Sequence, residues 1–135
     1  MRILALLLLF SSLQSIAASS SYPITLDCIF KRNNQKSYQC ETYKNFTVTY
    51  RSEHIGNVTG HHQDGLKNED VTILVLRNSP MNFIPYNFSD FFPFIDLLVI
   101  NNDDLKQIKN DNLGQFNLLR KLQIQVKSVV KLDAN

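Results

Sequence analysis

The sequence predicts an α/β repeat protein, built from short strand-and-turn coils stacked on a shared apolar interior. Two observations carry this. In "LLVINNDDLKQI", the apolar residues Leu98, Ile100, Leu105 and Ile108 are separated by two, five and three positions. That is neither the alternation of a strand nor the period of one helix. It fits a short strand followed by a turn that sends two more apolar side chains back into the same core. The second observation is that the spacing recurs. Val71, Ile95 and Leu119 lie 24 residues apart. Counting each as a first position, the fourth positions are Leu74, Leu98 and Leu122, and the sixth are Leu76, Ile100 and Ile124. The eleventh are Met81, Leu105 and Val129, and the fourteenth Ile84, Ile108 and Leu132. All are apolar, in a chain only 44% hydrophobic. Phe92 also matches Phe116, and Phe94 matches Leu118. One such coil cannot bury its own apolar face, so coils of this kind stack.

At the N-terminus, Arg2 precedes the apolar run "ILALLLLF" and the small residues of "SIAASSS". Ser15 and Ala17 occupy the positions a signal peptidase reads, so residues 1–17 are expected to be a signal peptide. A membrane anchor is the alternative. The run is too short to span about 30 Å of hydrocarbon at about 1.5 Å per residue. "FFPFIDLLVI" carries Pro93 and Asp96 and is no span either. The expectation is a soluble, secreted, extracellular chain. Its 135 residues suggest one domain, and a net charge of +2 with scattered basic residues argues against nucleic acid.

Secretion changes how the two cysteines read. Cys28 and Cys40 are an even, isolated pair, most simply a disulfide in an oxidising compartment; two free buried thiols are the alternative. It also gives meaning to the sequons at Asn45, Asn57 and Asn87, which match the N-glycosylation acceptor.

Residues 18–70 form the segment ahead of the repeats. "ITLDCIF" and "SYQCETY" flank the polar "KRNNQK" and predict a β-hairpin. With the turn centred on Asn34, Cys28 faces Cys40 and Phe30 faces Tyr38. "NFTVTY" has strand propensity. Residues 51–70 read as a polar connecting loop with a short extended piece near Val58. The repeats then run 71–94, 95–118 and, incompletely, 119–135. Turns or brief helical pieces are expected around residues 86–92 and 110–116.

These spacings resemble the leucine-rich repeat, L-x-x-L-x-L followed by a turn and L-x-x-L. The signal peptide, hairpin, "VTGHH" linker and repeats together are similar to small secreted leucine-rich-repeat proteins of insects. The resemblance implies a short right-handed solenoid with a concave parallel sheet, an irregular convex side and the disulfide hairpin as N-terminal cap. It also places a glycan on Asn87 on the convex side. The family usually carries Asn at position nine; here Ser79, Asp103 and Lys127 stand there, with Asn78, Asn102 and Val126 one place earlier.

The same resemblance puts positions three, five and seven of each coil on the concave surface. These are Ile73, Val75 and Arg77, then Leu97, Val99 and Asn101, then Lys121, Gln123 and Gln125. Four aliphatic side chains on a face expected to meet solvent suggest a binding surface for an extracellular protein or an apolar ligand. Cover by the cap or an overhanging loop is the alternative. Two further readings concern the C-terminal end, where Leu122, Ile124, Val129 and Leu132 would sit on an uncovered edge. Either two chains pack end to end as a homo-oligomer, or the chain is a fragment or truncated relative of a longer protein, one that folds within an assembly or by self-association.

Catalysis has little support in the sequence. His54, His61 and His62 lie near Asp64, Glu69 and Asp70, and such a cluster is capable of holding zinc or acting as a base. Yet adjacent residues on extended chain point to opposite sides, so His61 and His62 do not converge. No H-E-x-x-H, G-x-S-x-G or glycine-rich phosphate loop is present. "NNDDL" lacks the glycine and final glutamate of a calcium loop. The expectation is a non-catalytic protein without metal or cofactor. Arg120, Lys121, Lys127 and Lys131 could meet an acidic partner or simply keep the surface soluble.

Overall fold

The structure is a computed structural model, and it describes residues 23–43, 46–102, 104–126 and 131–133. The expected signal peptide, Asn45, Asp103, Lys127 and Val129 lie outside the described residues. The chain forms mostly β-strands in a mixed, largely parallel sheet with few helices. Strands β1 (Ile24–Arg32), β2 (Tyr38–Thr42), β3 (Ile55–Thr59), β4 (Val71–Arg77), β5 (Leu97–Asn101) and β7 (Lys121–Gln125) make one six-stranded sheet, ordered β3-β1-β2-β4-β5-β7. Strands β6 (Gln107–Lys109) and β8 (Lys131–Asp133) pair separately. The helices are single turns, α1 (Phe88–Phe91) and α2 (Asn110–Gly114). They fall where helical pieces are expected.

The 24-residue spacing is also the register of the parallel ladder. Leu74 pairs with Leu98 and Leu98 with Leu122, while Leu76, Ile100 and Ile124 make the next rung. The same offset governs the opposite side, where Phe83 bridges Gln107 and Gln107 pairs with Lys131. Because side chains alternate along a strand, the even-numbered residues of β5, β7 and β4 from Leu74 onward face inward together. Leu74, Leu76, Leu98 and Ile100 are no more than 1% exposed. They join Met81, Ile84, Phe88, Phe92, Leu105, Ile108 and Phe116 from the return segments in one core cluster. At about 25 cal/mol per Å2 of apolar surface removed from water, each fully buried aliphatic side chain contributes roughly 1.5–3 kcal/mol.

The hairpin continues the same alternation, since Ile24, Leu26, Cys28 and Phe30 of β1 and Tyr38, Cys40 and Thr42 of β2 are all buried. Its register corrects the expected one by two residues: Cys28 pairs with Thr42, Phe30 with Cys40 and Arg32 with Tyr38. The turn forms around Asn33, whose Oδ1 accepts from the backbone N–H of Gln35 and Ser37, both at 3.0 Å. Lys36 supplies the left-handed residue at φ 65°. This five-residue closure moves the centre of the turn to Gln35. Cys28 and Cys40 are disulfide-bonded nonetheless, as diagonal neighbours with Cα atoms 5.2 Å apart. Phe30 and Tyr38 are stacked, with ring centroids 5.8 Å apart.

Two further expectations change. Residues 46–50 of "NFTVTY" are not a strand: Val48 makes a single bridge to Met81, because this stretch runs beside the return segment rather than within the sheet. The extended piece near Val58 is a full strand, β3, paired in parallel with β1. Thr72 is the extra residue of a bulge between β2 and β4, which lets Val71 and Leu74 both reach the core.

Asparagine and serine tie the turns together. Asn102 is buried, donates from Nδ2 to the Ser79 carbonyl and accepts from the Asp104 N–H at 2.8 Å. Ser79 does the same work in the preceding segment, where its Oγ accepts from the Phe46 N–H at 3.3 Å. Asn78 adopts φ 55° and is exposed, which turns Ser79 inward in its place. The polar ladder is therefore present at Ser79 and Asn102, 23 residues apart.

Candidate interaction surface

Apart from Ile55 and Val71, which bulges turn into the core, the odd-numbered residues of the large sheet form its open face. The register sets them in rows: Ile29, Glu41, Val75, Val99 and Gln123 in one, and Lys31, Gln39, Ile73, Leu97 and Lys121 in the next. Arg77, Asn101 and Gln125 make a third. All nine residues expected on the concave surface thus share one face.

Their exposure corrects the expected solvent-facing patch. Ile73 and Val75 are 7% and 5% exposed, and Leu97 and Val99 are half-buried. Ile73 and Val75 are nevertheless absent from the core cluster. Their cover comes from neighbours on the open face itself. Gln39 lies directly across from Ile73 and Glu41 directly across from Val75. The Glu41 carboxylate is held by Lys31 on one side and by Arg77 Nη1 at 3.3 Å on the other. Gln39 Nε2 donates to it at 3.4 Å. The face is an apolar floor at β4 and β5 with polar walls on β1 and β2, while Lys121, Gln123 and Gln125 stand exposed on the far side. Ile29 is an apolar residue on this face that the repeat spacing alone does not reveal, and it is 48% exposed. The alternation in "ITLDCIF" carried the signal for it.

A hollow of about 210 Å3 opens where these strands begin. The hairpin tip, Gln35 and Ser37, makes one wall; Ile73 and Leu97 make the base; Asp96, Arg120 and Lys121 make the other side. Arg120 Nη2 donates to Asp96 Oδ2 at 2.8 Å, so this hollow offers a balanced ion pair and one exposed lysine rather than a concentrated charge. The expected basic cluster is divided: Arg120 and Lys121 lie at β7, whereas Lys131 lies on β8 of the other sheet.

The histidines are dispersed. His54 bridges to Tyr86, His61 is exposed, and His62 stacks on Phe30 with ring centroids 3.8 Å apart. Hydrogen bonds tie both ring nitrogens of His62. The Gln63 N–H donates to the Tyr38 hydroxyl at 3.1 Å, and that hydroxyl is hydrogen-bonded to Nδ1 at 2.9 Å. Nε2 is hydrogen-bonded to Asn68 Oδ1 at 2.8 Å. The ring is a clasp holding residues 60–68 against the hairpin. Among the described residues, no group of three or more His, Cys, Asp or Glu side chains is placed to hold a metal ion. No helix among them is long and apolar enough to cross a membrane. Asn57 is exposed on β3, and Asn87 is exposed at φ 70° before α1, away from the large sheet.

Comparison of the chain with protein-family models, with curated proteins and with solved structures finds no match.

Proposed function

We propose that this chain is a small secreted leucine-rich-repeat protein, non-catalytic, that uses the open face of its sheet to recognise another extracellular protein. The observation that carries the reading is the 24-residue ladder register. It lines up residues 73, 97 and 121, then 75, 99 and 123, then 77, 101 and 125, as one continuous surface. An apolar floor bounded by fixed charges and amides is the composition of a contact surface with a dry centre and a polar rim. The Cys28–Cys40 disulfide is consistent with an oxidising, extracellular address. Exposed Asn57 and Asn87 are open to glycosylation there, and a glycan on Asn87 leaves the sheet free.

The test is a pull-down from extracellular fluid with the wild type and Val99→Asp in parallel. Val99 is half-buried and lies outside the core cluster, so the variant is expected to keep its far-UV circular dichroism and thermal midpoint. Proteins retained by the wild type and lost with Val99→Asp support the reading. Equal retention by both chains, or specific retention by neither, overturns it. A second reading, folding supported by self-association, is favoured by the exposure of Leu122 and Leu132 at the β7 and β8 end.

A further inference from the structure

From the hydrogen-bond pattern of β7 we infer that this strand is an isologous dimerisation edge, pairing antiparallel with β7 of a second copy about a two-fold axis through Gln123. This pairing gives self-association a specific geometry and does not depend on partner recognition. Strand β7 is the last of the large sheet. The Lys121 N–H donates to Asp96 O at 3.0 Å, and Gln125 O accepts from the Asn102 N–H at 3.1 Å. Lys121 and Gln125 therefore turn their backbone groups toward β5. In a parallel ladder successive residues alternate in direction, so Leu122 and Ile124 turn their N–H and C=O groups outward, to the edge that no other strand among the described residues covers. Such a row of outward groups is a template for another strand.

The polar and apolar pattern of β7, "KLQIQ", is the same when the strand is reversed about Gln123. Antiparallel pairing centred on Gln123 sets Leu122 against Ile124 of the second copy, and Ile124 against its Leu122. Both are residues with outward backbone groups, so each of these pairs exchanges two backbone hydrogen bonds. Leu122 and Ile124 also face the core side, so their side chains extend the apolar rungs across the junction. On the other face Gln123 meets Gln123, and Lys121 meets Gln125, so no like charges are opposed. A register centred on Leu122 would instead set Ile124 against Arg120. Of the described apolar rung residues, two at this end are exposed: Leu122 is 36% exposed, and Leu132 on the neighbouring outer strand β8 is 70% exposed, while Ile124 is half-buried. A two-fold contact of this kind closes on itself and stops at two copies.

The experiment uses the secreted chain as expressed. Sedimentation equilibrium is expected to give the mass of two chains for the wild type and for Val99→Asp, and of one chain for Leu122→Asp. Single-cysteine variants report the register. Gln123 occupies the non-hydrogen-bonded site on the axis, where Cα atoms lie about 4.5 Å apart, within disulfide reach. Gln123→Cys is therefore expected to give a disulfide-linked dimer on a non-reducing gel, and Gln125→Cys is not. A wild-type mass of one chain at every concentration overturns the inference. So does equal cross-linking of the two cysteine variants. A dimer lost with Val99→Asp but kept with Leu122→Asp would place the contact on the open face and overturn it as well.

Discussion

At one end of the large sheet, Leu26 on β1 and Ile55 on β3 are 0% and 2% exposed; at the other, Leu122 on β7 and Leu132 on β8 are 36% and 70% exposed. Both ends are built from alternating strands of similar composition. They differ in what lies beyond them. The first end folds the chain back on itself: β3 passes outside β1, the disulfide joins β1 to β2, and His62 packs on Phe30. At the second end β7 has a neighbour on one side only among the described residues. Both β3 and β7 are edge strands, so an apolar side chain at the edge is a core residue only where further chain packs over it, as the Tyr86 segment does at Ile55.

The largest expected effect tests this directly, by placing one substitution at equivalent positions. Leu98 is 0% exposed between Leu74 and Leu122. Leu98→Asp buries an unpaired carboxylate, at a cost of several kcal/mol, comparable to the whole stability of a small domain. The expected outcome is loss of the cooperative thermal transition. In Leu122→Asp the charge reaches water, and the dilute chain is expected to keep a cooperative transition with a small drop in midpoint. Similar losses in the two variants would show that the β7 end is buried.

What the sequence made legible follows the same division. Which residues share a face was readable wherever an element repeats at a fixed offset, because a parallel ladder converts sequence spacing directly into register. Leu74, Leu98 and Leu122 are the clear instance. The hairpin was legible as a hairpin but not in register, since the pairing of Cys28 depends on the left-handed Lys36 and on the side chain of Asn33 within the turn. Strand β3 was underestimated because "IGNVT" contains Gly56 and Asn57, both poor strand formers; its pairing with β1 overrides that preference. Cover of Ile73 and Val75 by the cap was legible only as the alternative to an exposed patch. It depends on Gln39 and Glu41 arriving alongside β4, a contact across more than 30 residues of chain that no local pattern encodes.

The closed end should depend on its staple. Cys28 and Cys40 are 12 residues apart in sequence, and a disulfide closing a loop of about this size contributes on the order of 3 kcal/mol. The double variant Cys28→Ala, Cys40→Ala is expected to lower the denaturation midpoint accordingly. Hydrogen exchange should rise first in β1, β2 and β3 while the β4 and β5 amides stay protected. Uniform loss of protection would mean that the two ends unfold as one unit.

A smaller effect is expected at the polar tie between turns. Asn102→Ala removes the Nδ2 donor from the Ser79 carbonyl and the acceptor from the Asp104 N–H. Leaving buried backbone groups unpaired costs about 1–3 kcal/mol, read as a shift of the urea midpoint. Asn78→Ala, at the exposed turn of the preceding segment, removes no such bond and strains only a left-handed backbone residue. It is expected to cost less than Asn102→Ala. Equal costs would show that the buried ladder of Ser79 and Asn102 is not what holds the turns in step.

The smallest expected effect lies where the closed end meets the first return segment. Tyr86 bridges to His54, and its carbonyl accepts from the Ile55 N–H at 2.9 Å. Its hydroxyl donates to Asp111 Oδ2 at 3.1 Å. Burial pushes the Tyr86 hydroxyl above its ordinary 10.0, and the hydrogen bond and negative charge of Asp111 push the same way, against weaker opposing effects of Asn112 and Arg51. The folded chain therefore holds this proton more tightly than the unfolded chain does. The resulting stabilisation is complete below the unfolded value and is lost as pH rises through 10 and past the raised folded value. Tyr86 is half-buried, so solvent keeps the effect small. Stability measured by urea denaturation from about pH 9 to about pH 11 should fall more steeply for the wild type than for Tyr86→Phe, which has no proton to lose. Identical slopes would mean that the Asp111 contact is not maintained in solution, leaving the backbone bonds to residues 53–55 as the tie between the closed end and the rest of the sheet.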